Sequence, residues 1–280
     1  MAAAITDIYR YPVKGLSAEP LRRVGLSVGE CLPHDRRFAI ALGTTEFDPA
    51  QPQWLSKRNF IMLMRDERLA RLTTGFDPAT GVLSITDAGR TVLRESLGEA
   101  EGCHRIARFF DEFLGDSVPG PLRVVEAPGH AFADARQKPN ASTDKYVSLI
   151  NLASVRDFAT KIGATVEPIR FRANLYFDGL LAWDEQSWME REVTVGDARL
   201  RVISPITRCA ATEVNPATAE RDIPVVTELM RHFGHNIMGI YAEVVGAGEL
   251  AVGDDLRIAR GVKSSQRFRA TNTSMAAVMA

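Results

Sequence analysis

Cysteine is scarce in this chain of 280 residues: there are three, Cys31, Cys103 and Cys209. They stand far apart and none belongs to a Cys-x-x-Cys pair, which argues against a zinc ribbon or an iron–sulfur cluster held by this chain alone. An odd, sparse count fits a reducing compartment. Long apolar runs are also missing, so no stretch reads as a membrane span. The segment from Met1 to Asp7 lacks the basic start and apolar core of a signal peptide, and the expected location is cytoplasmic. An excess of one charge is absent too. The net charge of −1 gives no global pull toward nucleic acid or an anionic membrane, and neither is expected as a partner. There is no Gly-x-Ser-x-Gly elbow, no Gly-x-Gly-x-x-Gly and no Walker loop, which leaves serine hydrolase, Rossmann dehydrogenase and P-loop readings unsupported.

What is present is the material of an ordinary globular core, with 45% hydrophobic and 25% charged residues. The length allows two modest domains or one large one. Short apolar or alternating runs recur at Ile5–Tyr11, Leu21–Val28, Arg37–Leu42, Leu69–Thr73, Val82–Thr86 and Thr91–Arg94, separated by Gly, Pro and Asp turn signals. A second set covers Arg172–Asp178, then Glu192–Val195 and Arg199–Ile203 as a hairpin around Gly196-Asp197. Gly239–Val245 and Glu249–Ile258 are read as a strand pair around Gly246-Ala247-Gly248. Three helices are expected: Cys103–Leu114 ending at Gly115, Leu152–Ile162 between Asn151 and Gly163, and Val225–Phe233 after Pro224. The fold is expected to be mainly β with a few helices, an α+β arrangement in which short strands close into barrels. The Pro- and Gly-rich stretch from Asp116 to Pro121 divides residues 1–118 from residues 119–262, and the tail 263–280, without periodicity, is expected to be disordered.

The segment from Ser204 to Pro216 carries the most chemistry. Cys209 follows Arg208 directly; an adjacent positive charge favours the ionised form of a thiol, which is the nucleophile or metal ligand. The competing reading is a buried, inert cysteine. Lys14, beside Gly15 at a strand end, suits a phosphate contact or an ordinary solvated turn. Arg36 and Arg37 lead into an apolar strand, and a guanidinium turned inward needs an anionic partner. Arg170, Arg172 and Asn174 alternate, so on one strand face they present a fork of donors; an edge strand with a polar outer face reads equally well. His232 and His235 share a helix face with no third metal ligand near, which favours a capping or surface role.

These residues fall together through a resemblance. The stretches Tyr-Pro-Val-Lys-Gly at 11–15, Asp-Arg-Arg-Phe at 35–38, Tyr-Val-Ser-Leu-Ile-Asn at 146–151, Arg-Phe-Arg-Ala-Asn at 170–174, Thr-Arg-Cys-Ala-Ala-Thr-Glu-Val-Asn-Pro at 207–216 and Gly-Ile-Tyr-Ala-Glu-Val at 239–244 occur in one order. The chain thereby resembles MOSC proteins that carry a MOSC N-terminal β-barrel domain, such as the bacterial YcbX-type proteins and the mitochondrial amidoxime-reducing components. The resemblance implies an N-terminal β-barrel-like domain at 1–118, a MOSC β-barrel domain at 119–262, and a molybdenum cofactor (molybdenum on a molybdopterin). Cys209 would be the metal ligand, with Asp144 as an acidic residue beside it. Lys14, Gly15, Arg36, Lys145, Tyr146, Arg172, Asn174, Thr207, Arg208 and Tyr241 would hold the pterin and its phosphate. Where relatives often have Ser after the motif lysine, this chain has Gly15. The implied activity is reduction of N-hydroxylated small molecules such as amidoximes, hydroxylamines and hydroxylated bases. Electrons would come from a separate protein of the ferredoxin/flavodoxin reductase or cytochrome b5 type. The alternative is a molybdenum cofactor carrier or sulfur-transfer protein that uses Cys209 as a persulfide.

Overall fold

The computed structural model describes residues 3–134 and 145–259; Asp144 and the expected disordered tail lie outside the described residues. In chain order the strands and α-helices are β1 (Ala3–Arg10), β2 (Glu19–Leu21), β3 (Arg23–Leu26), β4 (Phe38–Ala41), β5 (Leu72–Asp77), β6 (Val82–Asp87), β7 (Arg90–Ser96), α1 (Ala100–Leu114), β8 (Arg123–Glu126), β9 (Val147–Asn151), α2 (Leu152–Ile162), β10 (Leu175–Asp178), β11 (Glu192–Val195), β12 (Ala198–Thr207), α3 (Val225–Phe233), β13 (Ile237–Gly246), β14 (Gly248–Ala251) and β15 (Asp255–Ile258). The fold of the described residues is mainly β with three α-helices, an α+β arrangement.

Seven strands form a closed ring in the order β10-β9-β13-β12-β11-β15-β1, with β1 pairing back onto β10 and β2 hanging from β1. Closure removes the exposed sheet edges that an open sheet would carry. Inward positions alternate: Val193 and Val195 on β11, Ala198, Leu200 and Val202 on β12, and Ile240, Ala242 and Val244 on β13 are all buried in one core. On β1 the inward set is Ala3, Ile5 and then Ile8, because a bulge between Ile5 and Asp7 shifts the register against β10 by one residue.

Hydrogen bonding crosses the expected 118/119 division in both directions. Strand β1 completes the ring made by β9–β13 and β15, while β8 pairs with β4 (Phe38 opposite Glu126, Ala39 opposite Val125). Of the other N-terminal strands, β5, β6 and β7 make a three-stranded sheet. Its apolar face (Leu72, Phe76, Leu83, Ile85) packs with Ile106, Phe110 and Leu114 of α1 in a second core, which also takes Val13, Leu16, Phe38 and Ile40.

Helix ends follow local chemistry. The Asn151 side chain accepts the Ala153 amide at the start of α2, and Gly163 ends it in the left-handed region at φ 66°. Several expected strands are shorter or differently partnered. Leu21–Val28 breaks at Arg22 into β2 and β3. Leu69 belongs to a 3-10 turn over Glu67–Arg71, capped by Asp66, so β5 begins only at Leu72. The segment Glu249–Ile258 divides at Val252-Gly253 into β14 and β15. Strand β14 does not pair with β13 but with β3, far away in sequence.

Candidate functional site

A cavity of about 450 Å³ opens where the end of β12, the start of β9 and the loops after β1 and β3 meet. All the expected site residues that are described line it: Lys14, Gly15, Arg36, Lys145, Tyr146, Arg172, Asn174, Thr207, Arg208, Cys209 and Tyr241. Lys57, Asp134, Cys31 and Asp35 also reach it, and these were not expected from sequence. Among the described lining residues, six side chains are cationic (Lys14, Arg36, Lys57, Lys145, Arg172, Arg208) and two are carboxylates (Asp35, Asp134). In a chain with net charge −1 this is a local concentration of positive charge, the electrostatic signature of an anion site.

Tyr11 organises one wall. Its ring is fully buried, its hydroxyl donates to the Ala173 carbonyl at 3.2 Å, and its amide donates to Asp35 Oδ1 at 2.7 Å. Two guanidiniums lie over that ring, Arg36 at 4.9 Å and Arg172 at 4.5 Å from the centroid. Both residues sit at positive φ, 51° and 54°, a conformation that side-chain-bearing residues hold only when their surroundings over-determine it. The two differ in compensation. Arg36 pairs with Asp35 and donates to the Arg172 carbonyl at 3.2 Å. Burial opposes its charge, but Asp35, Tyr241 and Tyr11 outweigh it, so its pKa rises. Arg172 has no carboxylate within salt-bridge reach among the described residues, and burial lowers its pKa despite Tyr11. Among the described residues it is a cation with no salt-bridged counter-ion, and Asp134 acts on it only through space.

The expected strand face of Arg170, Arg172 and Asn174 is not formed. Pro168 starts a 3-10 turn over Pro168–Phe171, and the left-handed Arg172 follows it. Arg170 turns away, buried, to Asp222 and Glu167, and its Nη1 donates to the Thr212 carbonyl at 3.2 Å. Asn174 reaches the cavity wall, but its amide is engaged. The side-chain oxygen accepts from Ser148 N at 3.1 Å and Ser148 Oγ at 2.8 Å, and Nδ2 donates to the Tyr9 carbonyl at 3.1 Å.

Lys14 is buried, with its ammonium donating to the Phe132 carbonyl at 2.8 Å and pairing with Asp134. Burial lowers its pKa, and Asp134 acts against that shift. For Asp134 burial pushes upward, but Lys14, Lys57 and Arg36 prevail and lower its pKa. Gly15 adopts φ +84°, and a Cβ there would lie 2.8 Å from the Ile61 carbonyl oxygen, so the turn that aims Lys14 requires glycine. Lys145 faces the cavity with its ammonium committed to Glu30 at 2.6 and 2.8 Å.

Cys209 stands directly after β12, half-buried, at the head of a 3-10 turn over Ala210–Glu213. Its carbonyl accepts from the Thr212 amide and hydroxyl, at 3.0 and 2.9 Å. Arg208 fixes the strand end: Nε donates to the Met238 carbonyl and Nη1 to the Phe171 carbonyl, both at 2.8 Å. Gly239 lets β13 pass close by at φ +82°, where a Cβ would stand 2.4 Å from the Leu149 carbonyl oxygen and 3.3 Å from Arg208 Nη2. Lys57 lines the cavity together with Cys209. Burial pulls the lysine pKa down, but its interactions with Cys209, Asp134 and Tyr241 outweigh burial and raise it. The second thiol in the cavity, Cys31, is pushed up to about 12 by burial and by Asp35, and stays neutral. His232 contacts Glu228 at 3.2 Å, and among the described residues no group of three or more His, Cys, Asp or Glu side chains is placed to hold a metal ion. Among the described residues, a metal here would have Cys209 as its protein ligand. No helix among the described residues is long and apolar enough to cross a membrane.

Residues 130–257 match the MOSC domain family. The chain is 29% identical over 172 residues to the molybdenum cofactor sulfurase of Anopheles gambiae, covering 55% of this chain and 21% of that protein. It is 21% identical over 290 aligned positions to the Homo sapiens protein of the same name, covering 90% of this chain and 32% of that one. It is 28% identical over 170 residues to mitochondrial amidoxime reducing component 2 of Bos taurus, covering 53% and 49%. The chain thus spans from about a fifth to about half the length of these relatives. The match overlaps the strands that build the cavity and includes Cys209, Arg208, Arg172 and Tyr241. Residues 130–257, a little under half of the chain, are thus a MOSC domain.

Proposed function

We propose that the cavity binds a molybdenum cofactor and that the protein reduces N-hydroxylated small molecules with electrons from a separate redox protein. One observation carries the reading: a soft thiol, Cys209, opens into a cavity with six cationic side chains against two carboxylates, while the other thiol there, Cys31, is held neutral by burial. A thiolate suits a soft or borderline metal, and the surplus of cations suits a ligand bearing a phosphate. Arg172, without a carboxylate partner among the described residues, supplies the unfilled charge. Names of relatives point the same way, since one set is called molybdenum cofactor sulfurase and another amidoxime reducing component.

In this reading Cys209 ligates the metal, and Arg172, Arg36, Lys14 and Arg208 hold the anionic part of the group, with Tyr11 as the platform beneath two of them. The bound group supplies the two-electron chemistry. The protein's share is positional. Arg208 fixes the strand end before Cys209 through backbone carbonyls, Thr212 fixes the turn after it, and Lys57 holds a proton on Nζ beside the sulfur. For an amidoxime the overall change is R–C(NH2)=N–OH with two electrons and two protons giving R–C(NH2)=NH and water, the N–O bond being the one broken. Lys145 belongs to the cavity wall through its pair with Glu30. Asp144, expected beside the metal, lies outside the described residues.

A second reading, transfer of sulfur through a Cys209 persulfide, is favoured by the name shared by the sulfurase relatives. The test is molybdenum and pterin content of the purified protein beside Cys209→Ala, followed by reduction of an amidoxime with a chemical reductant. The expected result is stoichiometric molybdenum and amidine formation in wild type, with both lost in Cys209→Ala. A Cys209→Ala protein that keeps bound metal and full turnover refutes the ligand assignment. Molybdenum with no amidine formed favours the carrier or sulfur-transfer reading.

A further inference from the structure

Behind the site lies a second cavity of about 230 Å³. Gly15, Leu63, Arg172 and Ala211 line both cavities, so the two share a wall. The first is dominated by charge and the second is not: Tyr9, Leu16, Leu69, Ile169 and Val214 supply its apolar surface. Two of the polar side chains that border it, Arg170 and Ser17, are largely engaged, although the buried Arg170 Nε has no partner among the described residues. Arg170 spends both Nη atoms on Glu167, Asp222 and the Thr212 carbonyl, and Ser17 Oγ accepts the Thr74 amide at 2.7 Å and lies 2.9 Å from the Thr74 hydroxyl. The remaining charge, Arg172, stands at the shared wall with its guanidinium over Tyr11.

We infer that this second cavity is a subsite for an apolar, ring-sized arm of the small molecule whose reducible head lies in the first cavity. The inference rests on the reduction proposed above for the identity of the head, and on the shared wall for the position of the arm. The volume is sufficient, because an apolar cavity of about 150 Å³ already takes up benzene. The lining is right for the class, since ligand pockets are mainly apolar with a few placed polar groups. Leu63 and Arg172 stand between head and arm, so a compound spanning both cavities places its polar group on the charged side and its ring on the side of Leu16, Leu69 and Val214. The selected substrates are therefore neutral N-hydroxylated compounds with one aromatic or branched apolar substituent, in preference to small polar ones.

The test compares benzamidoxime with acetamidoxime, which carry the same reducible group on a benzene ring or on a methyl. Ala70 lines only the second cavity and is half-buried, and Ala70→Phe fills the space. The expected result is a KM for benzamidoxime about tenfold lower than for acetamidoxime in wild type, lost in Ala70→Phe, with the acetamidoxime kinetics unchanged; tenfold is the low end of what one apolar contact discriminates. Ala18→Phe, at another position on the same lining, repeats the test if the first variant folds poorly. Equal effects on both compounds, or no effect on either, overturn the inference. If wild type reduces neither compound, the proposed function has failed, and calorimetric binding of benzamidoxime to wild type and Ala70→Phe then decides the subsite alone. Binding that the variant loses supports it, and absent or unchanged binding overturns it.

Discussion

Arg172→Met should make the protein no less stable while making its cavity a poorer anion site. The wild-type guanidinium is half-buried at positive φ, 4.5 Å from the Tyr11 ring centroid, with no carboxylate partner among the described residues. Methionine keeps an apolar stem on Tyr11 at the same backbone angle, so the conformational strain cancels. The cation–π contact is lost, at about 0.5–1 kcal/mol. Relief of an uncompensated, partly desolvated charge offsets this by about 1–2 kcal/mol, in line with the gains seen when buried charges are replaced by apolar groups. The balance is a change between about zero and +1.5 kcal/mol, or a rise in Tm of at most ~6 °C. Anion binding moves the other way, because a hydrogen bond to a charged group contributes about 1.5–3 kcal/mol, roughly 10- to 150-fold in affinity. The assay is thermal unfolding of cofactor-free protein at rising inorganic pyrophosphate. At a concentration 100 times its Kd the wild type gains about 2.7 kcal/mol, whereas a variant binding 30-fold more weakly gains about 0.9 kcal/mol. A variant destabilised by more than about 2 kcal/mol that keeps the full pyrophosphate response would refute the reasoning, since Arg172 would then be a structural residue.

Gly15→Ser should lose about 2–4 kcal/mol, from the φ of +84° and the 2.8 Å approach of its Cβ to the Ile61 carbonyl, and urea unfolding at constant m-value measures it. Glu185 is fully buried and accepts from Asn151 Nδ2 at 2.9 Å and Ser154 Oγ at 2.8 Å, with its pKa raised by burial against those bonds. A raised carboxyl pKa in the folded state gives stability that is complete below the unfolded value and lost as pH rises through the folded one. The urea midpoint of wild type should therefore fall over that window, and Glu185→Gln should flatten the fall at the expense of about 1–2 kcal/mol for an amide facing donors. An unchanged slope in the variant would show that another group sets it.

The local elements were legible because local chemistry decides them. The β11–β12 hairpin follows from Gly196-Asp197, and α2 from Asn151 and Gly163 at its ends. Pairing at long range was not, since nothing in Gly248–Ala251 distinguishes β3 from β13 as its neighbour. The cavity residues were found through ordered motifs, and the structure brings them around one space. The supposed face of Arg170, Arg172 and Asn174 failed because alternation on paper presumes an extended backbone, and Pro168 and the left-handed Arg172 replace it with a turn. Lys57 and Asp134 went unread because one starts a short 3-10 turn and the other lies in a loop, neither with a periodic or motif signal; only the fold brings Lys57 into the cavity with Cys209. Tyr11 was inside a recognised motif, but its role as a platform under two guanidiniums is a fact of packing.

The bulged strand β1 closes the ring by seating Ala3 and Ala4 against β15 and Ala4 to Ile8 against β10. Its two neighbours lie about 170 and 250 residues further along the chain. During synthesis at about 5–20 residues per second, β1 waits roughly 10–50 s for its last partner. For that interval the strand has only β2 beside it, its positions toward β10 and β15 stay open, and Lys14 and Gly15, which follow it, cannot yet meet Cys209. A cavity that draws on both ends of this stretch is therefore assembled late, and residues 130–257 made alone would leave open the edges of β10 and β15 that β1 covers.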